Sequence, residues 1–289
     1  MFKNIPYLYL KRKEIQVMLK AHALACMHGV NTIDKLDIER YKTSDTIFIL
    51  GSGSSINRIS DKQWNFISNN DSLGLNFWII HDFISTFYCY EEPNNSGDRK
   101  NIFYNILNKK KDLLSEKPFV IKDLLPSKIS FDRIPGELKK NIYLSLDFDI
   151  PAKGDDAVMM EYLWALRTLG RLQYTGKIRY IYSITASLSY AAFFSLLMGY
   201  KKVVFCGIDL SDSMYFYEEQ ADYYKSKGIF VPRSMQQPGV HSTDMRTDNK
   251  IPISYVLKKM HDVIFKDNSV EFYVAKNVGP LSKNFKVFF

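Results

Sequence analysis

Short unbroken apolar runs alternate with amphipathic stretches along most of the chain. The run at 46–50 (Thr-Ile-Phe-Ile-Leu) has no polar face, which predicts a strand buried on both sides. A helix-like stretch follows from Asn57, with Ile59, Trp64 and Ile67 apolar, and then a strand at 72–76 that runs into the aromatic segment 77–90. The polar tract 91–100 predicts a loop, and further strands are expected at 119–121 and 141–146. Downstream the pattern sharpens: an apolar helix at 185–198 is closed by Gly199, and a buried strand follows at 203–206. Residues 211–250 show little periodicity and read as a long loop or short helices. A helix at 253–265 and a strand at 270–273 complete the pattern. Upstream, 1–43 reads as a helical appendage whose helix, 14–25, places Ile15, Met18, Leu19 and His22 on one stripe. Strands alternating with helices predict an α/β fold with a mostly parallel sheet, its main domain spanning 44–289. No internal repeat or low-complexity tract interrupts it.

Composition adds limits to this picture. The 289 residues suffice for one large domain, or one domain with a small appendage, and the 46% hydrophobic and 24% charged content is that of soluble globular proteins. A net charge of +8 favours phosphorylated or acidic partners or an anionic membrane surface. The cations are scattered (109–111, 139–140, 201–202, 258–259) and form no nucleic-acid motif, so nucleic acid is not an expected partner. Cys26, Cys89 and Cys206 lack paired spacing, which suits a reducing compartment and argues against a zinc site. The longest apolar stretch, near 190–198, falls far short of the ~20 residues needed to span a bilayer. The expected location is cytoplasmic, with Lys11, Lys13 and Lys20 of the first helix available for peripheral contact with the inner membrane face. That helix equally suits packing on the domain or on a second copy in a homo-oligomer. The 15% aromatic content fits either a Tyr/Phe-heavy core or a carbohydrate-stacking surface.

Candidate chemistry begins directly after the first buried strand. Gly51-Ser-Gly-Ser-Ser55 is a strand-to-helix turn of the kind that offers backbone N–H groups and hydroxyls to a phosphate. The third glycine of a dinucleotide fingerprint is missing, and Asn76, not an acid, ends the second strand, so NAD and S-adenosylmethionine are disfavoured.

The block Ile184-Thr-Ala-Ser187, an apolar helix, Gly199-Tyr-Lys, a strand and Gly207-Ile-Asp209 resembles the Campylobacter-type bacterial sialyltransferases of glycosyltransferase family 42. The early glycine loop, Asn76 and the pair His241-Ser242 follow the same order, so the resemblance extends over about 45–285. It implies a Rossmann-like domain, a variant of the GT-A type, with a lid around 211–250. It further implies a CMP-activated sialic acid or related nonulosonic acid as donor, a glycan acceptor from capsule or lipooligosaccharide, inversion at the anomeric carbon, and neither metal nor cofactor. His241 then takes the general-base role, which an imidazole of ordinary pKa near 6.5 can perform at neutral pH. Tyr215 and Tyr217 are the lid hydroxyls expected to stabilise the leaving phosphate. Gly51, Ser52, Gly53, Ser54, Asn76, Thr185, Ala186, Ser187, Gly207 and Asp209 match donor-pocket positions, although Asp209 also reads as a cap on the neighbouring turn.

Four positions depart from the family pattern: Phe77 for Gln, Ser183 for Arg, Cys89 for Asn and Ser211 for Tyr. They leave the donor sugar open to legionaminic acid, pseudaminic acid or Kdo. Two rival readings stay on the table. Asp147-Phe-Asp149 has the form that metal-dependent glycosyltransferases use to hold Mn²⁺ or Mg²⁺. The glycine turn also suits a methyltransferase or a non-catalytic nucleotide-binding module.

Overall fold

The computed structural model describes residues 5–92, 97–122, 129–146, 148–211, 214–232 and 239–289. Its centre is a sheet built from β1 (Asn31–Thr32), β2 (Thr46–Leu50), β3 (Asp71–Leu75), β4 (Phe87–Tyr90), β5 (Phe119–Ile121), β6 (Ile142–Leu144), β9 (Lys202–Cys206), β10 (Glu271–Val274) and β11 (Lys286–Val287). The pair β7 (Phe148–Asp149) and β8 (Tyr182–Ser183) forms a small ribbon apart from it. The spatial order is β1-β6-β5-β4-β3-β2-β9-β10-β11, and every neighbouring pair runs parallel. The chain winds outward from β2 in one direction and later returns to β9 on its other side. The β2–β9 boundary is thus the point where the winding reverses, which in open α/β sheets is where a crevice opens beyond the carboxyl ends of the strands.

Alternation along β2 shows how the two layers form. Ile47 and Ile49 face one core cluster, while Phe48 and Leu50 face the other, all fully buried. Helices α1 (Ile5–His28), α7 (Asp156–Thr168), α8 (Ser187–Leu197) and α11 (Ile253–Met260) cover the first face. The short α2 (Ile38–Tyr41) packs there too. On the second lie α3 (Asp61–Ser68), α4 (Gly97–Lys109), α5 (Lys111–Leu114), α6 (Gly136–Lys139), α9 (Phe216–Glu219) and α10 (Ala221–Ser226). Helix α8 is buried all round from Leu188 to Leu197, which explains why its sequence has no polar stripe.

Two expectations from the hydrophobic pattern are corrected. The tract 91–100 is not all loop, since α4 begins at Gly97. The first helix is longer than 14–25 and rests on a different face. Leu10, Glu14, Val17, Ala21 and Ala25 are buried, whereas Ile15 and Leu19 are 60% and 67% exposed. Leu10, Val17 and Ala21 of that face pack into the core, and Glu14 is buried beside them. Its carboxylate accepts a hydrogen bond from Tyr182 Oη at 3.1 Å and pairs with Arg171 at 3.5 Å. A reading by hydrophobicity excludes such a residue from the core. The segment before β2 also reaches the main sheet, because β1 pairs with β6 at its edge.

Candidate active site

At the β2–β9 boundary the structure encloses a cavity of about 230 Å³. Gly51, Ser52, Gly53, Asn76, Ala186, Ser187, Gly207, Asp209, Tyr215, Tyr217 and His241 line it. These residues are far apart in sequence and are brought together by the carboxyl ends of β2, β3 and β9, the start of α8, and the segment after β9. Ser54 and Thr185 do not line the cavity, although each adjoins residues that do. Backbone strain gathers here as well. Asn76 and Leu210 line the cavity with φ of 51° and 56°, and Thr185 beside it has φ of 68°. A β-branched residue in the left-handed region is costly and persists only when its surroundings hold it there.

The glycine loop is built differently from a simple phosphate cradle. Gly51 N–H donates to Cys206 C=O at 2.8 Å, and Gly53 N–H donates to Gly207 C=O at 2.8 Å. The turn after it is a 3-10 turn, Ser54–Arg58, and its Ser55 N–H donates to Asp209 Oδ2 at 2.9 Å. The Ser55 hydroxyl donates to Asp209 Oδ1. A carboxylate of the chain therefore occupies the place at the head of this turn where a ligand anion would dock. The glycines permit the close approach: a Cβ on Gly53 would stand 2.6 Å from Asp209 Oδ2 and 2.8 Å from Gly207 O.

The segment after β9 clasps the same loop. Tyr215 bridges to Gly53, and Phe216 N–H donates to Ser52 C=O at 2.9 Å. Tyr215 and Tyr217 stack with centroids 5.2 Å apart. Tyr217 is buried, and burial pushes its phenol well above the usual value, opposed by the positive charge of Arg99. Arg99 of α4 also lies over the Phe77 ring at 4.6 Å and lines the cavity. The polar composition of 91–100 hides this helix start from a hydrophobic pattern. The available signal was the pair of apolar doublets Ile102-Phe103 and Ile106-Leu107, four residues apart as one helix face requires.

His241 is fixed by its backbone N–H donating to Leu210 C=O at 2.8 Å. Its pKa is lowered from the ordinary histidine value, first by burial and then by the Lys250 ammonium, against an opposing pull from Asp244. Nδ1 lies 2.7 Å from Thr243 Oγ1 and 3.2 Å from Thr243 N. These contacts make opposite demands. The hydroxyl oxygen can accept a hydrogen bond from Nδ1–H, leaving the Nε2 lone pair as base, while the backbone N–H favours Nδ1 as acceptor. Base chemistry at Nε2 uses the first arrangement, at the shorter contact.

Asn76 Oδ1 accepts from Glu91 N–H at 3.1 Å, which orients the amide at the cavity wall. The Ser187 hydroxyl donates to the Glu91 carboxylate, and that carboxylate pairs with buried Lys122 at 3.2 Å. Of the rival metal motif, Asp147 lies outside the described residues, and Asp149 is exposed on β7, away from the cavity lining. Among the described residues no cluster of three or more His, Cys, Asp or Glu has the arrangement to hold a metal ion. Asp155 caps α7 by accepting from Ala157 and Val158 N–H. A larger groove of about 560 Å³ lies between α4 and the stretch after α10, and Arg99 borders both spaces. The smaller cavity holds the residues with chemistry and is the candidate site. Among the described residues no helix is long and apolar enough to cross a membrane.

No family model matches this chain, and no curated protein matches it. Among solved structures, an α-2,3-sialyltransferase from Campylobacter jejuni in apo form overlaps 86% of this chain and 83% of its own, at 16% identity and a TM-score of 0.41, an overlap too loose to establish a common fold.

Proposed function

We propose that the protein is an inverting glycosyltransferase that moves sialic acid or a related nonulosonic acid from a CMP donor to a glycan acceptor, without metal. The observation that carries this reading is the assembly at the β2–β9 boundary. There a histidine of lowered pKa, Tyr215, Tyr217, Asn76 and the head of α8 line one cavity. In the proposed reaction the acceptor hydroxyl gives its proton to His241 Nε2 as its oxygen bonds to the anomeric carbon. The bond from that carbon to the CMP phosphate oxygen breaks, and the electron pair leaves with CMP. Negative charge builds on the phosphate, toward which the Tyr215 and Tyr217 hydroxyls donate. The lowered pKa keeps the imidazole neutral at pH 7, as a base must be.

Calorimetric titration with CMP, CDP, UDP and S-adenosylhomocysteine, with and without EDTA, tests the reading. Selective binding of CMP that survives EDTA is expected. Metal-dependent preference for UDP favours the Asp147/Asp149 alternative instead, and preference for S-adenosylhomocysteine favours a methyltransferase.

A further inference from the structure

Part of the glycine loop's donor capacity is already engaged within the fold. The N–H groups of Gly51, Gly53 and Ser55 are committed to Cys206, Gly207 and Asp209. Asp209, the acid in the cavity lining, directs both of its oxygens to Ser55. Among the described lining residues Arg99 is the sole lysine or arginine. Its guanidinium rests on the buried Phe77 ring at 4.6 Å, and the buried Tyr217 lines the same cavity. The ring fixes the plane of the fork, and a guanidinium is the side chain best matched to a phosphate by shape and permanent charge. Helix α4 thereby places a cation in the space that the glycine loop and Tyr217 of α9 also line.

We infer that Arg99, seated on Phe77, forms the phosphate subsite of the cavity and supplies the charge by which the protein distinguishes a nucleoside monophosphate from its nucleoside. The inference rests on the CMP-donor reading and goes beyond it by moving the phosphate from the glycine loop to α4.

The test is calorimetric titration of the full chain with cytidine and with CMP, for the wild type, Arg99→Gln and Arg99→Lys. A charged hydrogen-bonding pair of this kind predicts that Arg99→Gln weakens CMP by about ten- to a hundredfold and leaves cytidine unchanged. Arg99→Lys keeps the charge but not the fork and is expected to fall between. It also serves if the Gln variant is misfolded, because its CMP affinity must still lie below wild type while its cytidine affinity does not. Equal losses for cytidine and CMP, or an unchanged CMP affinity in a folded variant, overturn the inference and leave the donor reading standing. A wild-type protein that binds neither ligand overturns the donor reading, and this inference with it.

Discussion

Replacing Asp209 by Ala tests whether the carboxylate is chiefly the support of the glycine loop. Ser55 is 2% exposed, and its N–H and hydroxyl both donate to Asp209. Truncation leaves two buried donors without that acceptor, at a cost of about 1–3 kcal/mol each. Partial relaxation of the loop offsets some of this, so a total of roughly 2–4 kcal/mol is expected, a large part of the about 5–15 kcal/mol that holds a typical domain folded. Asp209→Asn retains one carbonyl oxygen and should lose about half as much. Urea unfolding, followed through fluorescence of buried Trp78, measures both. CMP affinity should fall with stability in the two variants, since Ser52 and Gly53 carry the contacts to Phe216 and Tyr215. An alanine variant within about 1 kcal/mol of wild type, the range of an ordinary surface change, refutes the reasoning.

Three further outcomes follow from the same geometry. If His241 is the base, kcat/KM falls as pH drops through a value below the ordinary 6.5, and Lys250→Met, by removing a repelling cation, moves that limb upward; a downward shift contradicts the assignment. Enclosed by Trp64, Trp78 and Phe216, His81 has a pKa lowered to about 4, mainly by burial. Between about pH 4 and 6.5 the unfolded chain binds the extra proton. His81 stabilisation is therefore complete above pH 6.5 and declines by about 2–3 kcal/mol toward pH 4, a slope that His81→Gln should remove from the unfolding profile. Tyr217→Phe deletes a single buried hydroxyl and should lower kcat by about a hundredfold with folding intact, whereas unchanged kcat assigns Tyr217 to packing alone.

The parallel α/β sheet was legible because strands such as β2 and β9 are largely unbroken apolar runs that alternate with helices. Tertiary polar contacts were not legible. Glu14 sits on the buried face of α1, satisfied by Tyr182 and Arg171, contacts made more than 150 residues away in sequence. Arg99 was hidden because its helix begins inside a tract whose composition reads as loop. Asp209 shows the two levels together: its position beside the cavity follows from the Gly-Ile-Asp motif, but only the fold brings its carboxylate to Ser55. The clasp of Tyr215 and Phe216 on Ser52 and Gly53 is likewise a backbone contact between distant segments, to which side-chain periodicity is blind.

The most direct test of the account is CMP release from CMP-sialic acid in the presence of a galactoside acceptor, with EDTA throughout, comparing wild type with His241→Ala. The account predicts release by the wild type and a rate about 10²–10⁴-fold lower in the variant, with CMP affinity unchanged. Equal rates in the two proteins, or no release by a folded wild type from any CMP-activated nonulosonic acid, contradicts it.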